Sequence, residues 1–209
     1  VMVILTMAVL ASAGEPGRFS GRIDTGVGWI RTKSNIEPGD DNKRLTSLST
    51  AAPSESEFVP FAAFEIGCRM SESAQLYLGI PFEGEPRPTL GMRLNTGHTG
   101  DFDISLFYHL PDEVWADPYI TGVNRTETDI DRYGARLAWE VGGIELSYEA
   151  QWEDVDNDVI GNRLSDLKRD GLVHQVGLEY EIELGRGLEI VPGLSYTLAD
   201  MDGKSTEYK

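Results

Sequence analysis

From Phe19 the chain alternates between apolar and polar residues with a period of two. Odd positions read Phe19, Gly21, Ile23, Thr25, Val27 and Trp29, and even positions read Ser20, Arg22, Asp24, Gly26 and Gly28. Alternation of this kind sends successive side chains to opposite faces of a β-strand. The pattern returns along the chain. Apolar faces are carried by residues 58–70, 76–82, 90–94, 102–110, 133–141, 144–152, 176–184 and 188–198, each against a polar or small-residue face. Together these are nine candidate strands, and no stretch after them or between them sustains a helical period.

The connections alternate as well. If the first strand runs outward, the long linkers 33–57, 111–131 and 154–170 and the tail from 200 fall at one end. The turns 71–74, 95–101, 142–143 and 185–187 fall at the other, and 83–87 is one short link at the long end. Short turns on one side and long loops on the other are the layout of outer-membrane barrels. Aromatics on the apolar face gather near strand ends: Phe19, Phe102, Trp139 and Tyr180 at the short-turn end, and Trp29, Phe58, Phe82, Tyr108, Tyr133, Trp152 and Tyr196 at the long-loop end. Two belts suit rings with an apolar body and a polar edge at membrane interfaces. A soluble β-sandwich accounts for the alternation but not for the belts or the loop asymmetry. The predicted fold is all-β, an antiparallel up-and-down transmembrane β-barrel. Single-chain barrels usually have even strand numbers, and an open edge would present unpaired backbone groups to lipid. Further strands are therefore expected beyond Lys209, in a complete barrel of about twelve.

Composition narrows the setting. The chain has 209 residues and a net charge of −17, a balance that repels nucleic acid. Its single cysteine, Cys68, excludes an intrachain disulfide and falls on the apolar face, where a thiol behaves as a small hydrophobe. Residues 1–10 (VMVILTMAVL) are apolar and are followed by Ala11-Ser12-Ala13. That is the apolar core and small-residue cleavage site of an export signal, too short to span a bilayer as a helix. Residues 1–13 therefore read as a signal peptide whose basic segment is expected upstream of Val1, and residues 14–209 as the barrel domain.

The first long loop carries Ser34-Asn35, then Asp40-Asp41-Asn42-Lys43-Arg44-Leu45, then Pro53-Ser54-Glu55-Ser56-Glu57-Phe58, with Gln75-Leu76-Tyr77-Leu78-Gly79 following. Further along stand Pro111-Asp112-Glu113-Val114-Trp115-Ala116-Asp117-Pro118-Tyr119 and Leu194-Ser195-Tyr196-Thr197. Together these segments resemble an uncharacterised family of Gram-negative outer-membrane β-barrels, domain of unknown function 2860. The resemblance covers nearly all of the chain after the signal. It implies a complete barrel longer than this chain and carries over no catalytic residue.

The candidate site is the polar face itself. Arg22, Asp24, Glu65, Arg69, Arg93, Asp103, Arg132, Arg136 and Glu140 mix both signs, whereas Glu145, Glu149, Glu153, Glu179, Glu181, Glu183 and Glu189 are all acidic. Charges cannot face lipid cheaply, so these residues are expected to line a lumen. That lumen is either wet, with an acidic wall favouring cations, or filled by Arg–carboxylate pairs. Asp154, Asp156 and Asp158 are spaced like the start of a calcium loop, but Val159 and Ser165 stand where that loop needs Gly and Glu, so they read as solvated loop acids. Asp112, Glu113 and Asp117 around Trp115 sit between Pro111 and Pro118 and read as a rigid turn rather than a cation site. Histidine is the usual general base, and His98, His109 and His174 are the three present. None has the partners of a catalytic constellation. The expectation is a non-enzymatic barrel without cofactor or metal: a passive channel for small solutes, or a closed barrel acting through its long loops. Its surroundings would be outer-membrane lipid and lipopolysaccharide, not nucleic acid.

Overall fold

The computed structural model describes residues 3–5, 18–49, 51–81, 86–183 and 189–206. Its strands are β1 (Val3–Leu5), β2 (Phe19–Lys33), β3 (Ser54–Arg69), β4 (Ala74–Ile80), β5 (Thr89–Asn95), β6 (Asp101–Tyr108), β7 (Asp112–Trp115), β8 (Glu127–Val141), β9 (Ile144–Val155), β10 (Gly171–Tyr180), β11 (Ile182–Glu183), β12 (Glu189–Ile190) and β13 (Gly193–Met201). One short helix, α1 (Val159–Arg163), lies between β9 and β10. The main sheet runs β1-β2-β3-β4-β5-β6-β8-β9-β10-β13, with β7 paired to β8, and every pairing in it is antiparallel. This is an all-β, up-and-down barrel wall. Among the described residues β13 forms no ladder with β1 or β2, so the wall is not closed.

The period-two pattern decides which face each residue takes. On the convex face Phe19, Ile23, Phe64, Ile66, Leu78, Leu90, Ile104, Leu106, Leu137, Leu146, Val176 and Leu194 are exposed, Leu106 at 61% and Leu194 at 74%. Their neighbours on the same strands, Asp24, Ala63, Tyr77, Thr89, Ser105, Phe107 and Ala138, are buried. The apolar side chains thus point out and the polar ones turn inward, the inverse of a water-soluble sheet. Trp152 and Tyr133 stack on the convex face at the long-loop end, ring centroids 5.9 Å apart, as the belt pattern anticipates. Phe82 of that belt lies outside the described residues.

The nine expected strands are all present, with three differences. Strands β2, β3, β8 and β9 run further into the long-loop end than alternation suggested, and β10 begins at Gly171 rather than at Val176. Ladder pairing overrides composition there, because a backbone group with a partner is satisfied whatever its side chain. Next, the stretches read as single strands at 176–184 and 188–198 are each interrupted. β10 stops at Tyr180, and β11 and β12 pair only with each other. Pro192 lacks the N–H that an unbroken ladder needs. Third, β6 does not end in a plain loop. Tyr108 opposes Tyr133 while Asp112 opposes Ile130, so residues 109–111 face only residues 131–132. This extra residue is a β-bulge, and it brings Asp112 onto the face of its partner Ile130. Of the stretch read as an export signal, residues 3–5 are described, and they pair with Val27–Trp29.

Tight turns close the short end. Gly142 and Gly143 have φ of 59° and 78° between the paired residues Val141 and Ile144. Positive φ at both central positions is the requirement of a twist-matched two-residue hairpin.

The long loops pack together. Trp115 is fully buried and donates its Nε1 hydrogen to the Glu37 carbonyl at 3.2 Å. Arg125, 3% exposed, stacks on Trp115 and donates to the carbonyls of Asn35, Pro118 and Asn42. Burial pushes its guanidinium below the ordinary arginine value. Arg169 pairs with Asp158 at 2.7 Å and reaches the Trp115 and Ala116 carbonyls, and Arg163 meets Asp117 at 3.2 Å. Lys168 bonds Asp202 and Asp170, which together hold its ammonium above the usual lysine value. Asp158 is therefore a buried partner of an arginine and not a solvated acid, and Asp117, in the Pro-flanked turn, is buried against Arg163. Among the described residues no carboxylate or histidine cluster could hold a metal.

Candidate functional site

The concave face carries charged side chains of both signs, and its chemistry is set by how they pair. On β2, Arg22 meets Asp24 at 2.8 Å. On β3 to β6, Arg93 grips Glu65 through both terminal nitrogens at 2.6 Å and reaches Asp103 at 3.2 Å. Tyr77 lies beneath it, 4.2 Å from the guanidinium, and donates its hydroxyl hydrogen to Asp103 at 2.7 Å. On β8 and β9, Arg136 meets Glu145 at 2.5 Å, and Arg132 joins Glu153 at 3.6 Å and Asp112 at 3.2 Å. These ties run between the same, adjacent or next-adjacent strands, so they lie along the wall. Arg69, opposite Gln75, lines a hollow at the short-turn end together with Arg93, Asp103 and Arg136.

Small residues keep the wall thin between the pairs. Gly134, Ala138, Ser147, Gly177, Gly193 and Ser195 all point inward, and three hollows of about 670, 390 and 470 Å³ follow the concave face from β2 to β13. Carboxylates outnumber guanidinium groups toward the short-turn end. Asp101 opposes Glu140, Glu140 opposes Glu145, and Glu145 opposes Glu179, a row crossing four strands in register. Arg136 is bonded to one member of that row. Like charges directly opposite one another on a sheet repel, so the row is held by the fold against its own electrostatics.

The sixteen residues read from the sequence divide into two groups. Those from Arg22 to Glu179 share the concave face. Glu181, Glu183 and Glu189 leave it: Glu181 lies between β10 and β11, and Glu183 opposes Glu189 in the small hairpin. Alternation continues through this hairpin, but the ladder to β10 does not, which the sequence pattern cannot distinguish. Five participants were not among those residues: Tyr77 and Asp112, described above, and Arg87, Phe107 and Asp101. Arg87, in the connection before β5, binds both oxygens of Glu149 at 2.9 and 3.0 Å and stacks on Phe107 at 4.5 Å. Phe107 breaks the polar alternation of β6, and Asp101 begins the acidic row. The signal available was parity alone: residues 101 and 107 share it with Asp103. Arg87 lies in a link with no period to read. Of the histidines, His174 sits on the convex face with Nδ1 at 2.7 Å from the Tyr148 hydroxyl, and His109 packs edge-on to Phe107.

The family of proteins of unknown function DUF2860 matches residues 18–209. The chain belongs to the DUF2860 family. No curated protein matches it. Among solved structures, a porin refined at 1.8 Å resolution is similar at a TM-score of 0.35 and 15% identity, over 90% of this chain and 55% of the porin. The chain thus spans about half the length of that porin. The DUF2860 fold described above rests on the strand register of this chain.

Proposed function

We propose that this DUF2860 protein is an integral outer-membrane barrel that acts as a passive, cation-favouring channel for small solutes and not as an enzyme. The observation that carries the reading is the inverted sheet. Large aliphatic side chains cover the convex face, and ionised groups with small residues between them line the concave one. Water on the convex side would leave that apolar surface unburied. Lipid satisfies it, and the alternation then requires a polar lumen. Lateral pairing of the groups other than Arg87 and Glu149 supports a wet lumen, because bonds along the wall leave space beside it. The row Asp101, Glu140, Glu145 and Glu179 supports cation preference, as acidic rings do in cation pores. Lipid and lipopolysaccharide are the expected surroundings.

The test is single-channel recording of the full-length refolded protein in a planar bilayer under a salt gradient. Steady conductance with a cation-side reversal potential is expected, and a folded barrel that never conducts would refute the channel. A second reading, a closed barrel that binds a partner through its loops, is favoured by one observation: the loops are prepacked around Trp115 and Arg125 rather than loose. Absence of conductance would favour it.

A further inference from the structure

The pair Arg87–Glu149 differs from the other ion pairs described above on the concave face. Arg87 precedes β5, and Glu149 lies on β9, with β6 and β8 between them. Adjacent strands lie about 4.8 Å apart, so the bond spans three such gaps, roughly 14 Å of wall. A side chain can make that crossing only by leaving the wall, and the packing beneath it shows how. Gly134 of β8 lacks a side chain, and the Phe107 ring occupies the space where its Cβ would lie. The Arg87 guanidinium lies in turn over the Phe107 ring at 4.5 Å. Wall, ring and guanidinium are thus stacked, and the bridge stands two side-chain layers inside the barrel. Both ends are held. Pro86 and Pro88 flank Arg87 and limit its backbone, and both oxygens of Glu149 are engaged at 2.9 and 3.0 Å. Little of either side chain reaches solvent, 12% and 19%.

The bridge also divides the concave surface. The hollow of about 390 Å³ over β2 to β8 and that of about 470 Å³ over β8 to β13 both have Arg87 and Arg136 in their lining. Arg87 therefore stands on the partition between a bay with arginines on its wall and one in which every charged strand residue of β9, β10 and β13 is acidic. A charged strut in that position does two things. It narrows the passage, and it cancels the charge of Glu149 at the level where a passing ion meets the wall.

We propose that the Arg87–Glu149 bridge is the constriction of the channel and sets its charge selectivity, an inference that rests on the channel reading given above. Shortening Arg87 should widen the passage, and removing the charge of either partner should move selectivity in opposite directions. Arg87→Ala leaves Glu149 uncompensated and should raise cation preference. Glu149→Gln removes a negative charge beside Arg87 and should lower it. A structural defect common to both variants would not produce shifts of opposite sign.

The experiment is bilayer recording of the full-length wild type, Arg87→Ala, Arg87→Gln and Glu149→Gln, each first shown to be folded by its heat-modifiable gel mobility. Expected is a conductance increase on the order of twofold in Arg87→Ala, since the narrowest point limits flux, with the reversal potentials of the Arg87 variants and of Glu149→Gln on opposite sides of the wild type. Arg87→Gln serves if Arg87→Ala does not fold. Conducting variants with wild-type conductance and reversal potential would overturn the constriction and leave the channel standing. A silent wild type beside a conducting Arg87→Ala would support the bridge and show that it closes the lumen. Folded proteins that are silent in every form would remove the channel and the constriction together.

Discussion

Leu137 and Ser147 offer a sharp comparison. Leu137 lies on the convex face of β8 between Tyr133 and Trp139 and is 45% exposed. Ser147 lies on the concave face of the adjacent strand, opposite Ala138 and Gly177, which leave room beside it. Placing arginine at each tests the same charge on the two sides of one wall. At Leu137 the guanidinium enters the hydrocarbon region, at a cost of about 2–4 kcal/mol near the membrane midplane. At about 1.4 kcal/mol per tenfold, that lowers the folding equilibrium roughly 30- to 700-fold. At Ser147 the same group enters a hollow that Glu149 and Glu179 also line, and its cost should be near zero. Urea unfolding of the full-length protein in vesicles, followed by gel mobility, measures both. Equal penalties, or a larger one for Ser147→Arg, would refute the assignment of faces.

Three further outcomes follow from particular contacts. Gly134→Val should destabilise the barrel by about 1–3 kcal/mol through overpacking, since its Cβ would meet the Phe107 ring at 2.6 Å; the same unfolding assay reads this. Arg125→Ala should open the loop assembly, because it strips a charged donor from three carbonyls, at about 1–3 kcal/mol for each acceptor left buried. Protease cleavage within residues 34–53 should rise in that variant while the strands stay intact, and Arg125→Lys should restore the charge without the fork and rescue only in part. Cys68, on the convex face opposite Phe19 and Leu76, should react faster with an apolar maleimide than with a charged one in lipid vesicles. Equal rates would place it in water.

Period-two alternation carried the strands and their facing, because each strand has two unlike environments and selection of side chains must follow them. The loops carried no such record. Trp115, Arg125 and Asp158 stand in stretches without a period, and their burial comes from contacts between segments far apart in the chain, such as Trp115 with Glu37. Asp158 therefore looked like a solvated acid until Arg169 was beside it. Arg87 was hidden for the same reason: it stands in a link before β5, and its partner Glu149 lies on a strand not adjacent to β5. The bulge at residues 109–111 was invisible because one added residue leaves composition unchanged while shifting the register.

The central claim is that one face of this wall meets lipid and the other meets water. A cysteine scan along β9 in a Cys68→Ser background tests it most directly, using the full-length protein in vesicles and a charged, membrane-impermeant thiol reagent. Positions 145, 147, 149, 151 and 153 should label quickly and positions 144, 146, 148, 150 and 152 slowly. Slow labelling at the first set would contradict a wet lumen, and labelling without alternation would contradict the barrel wall itself.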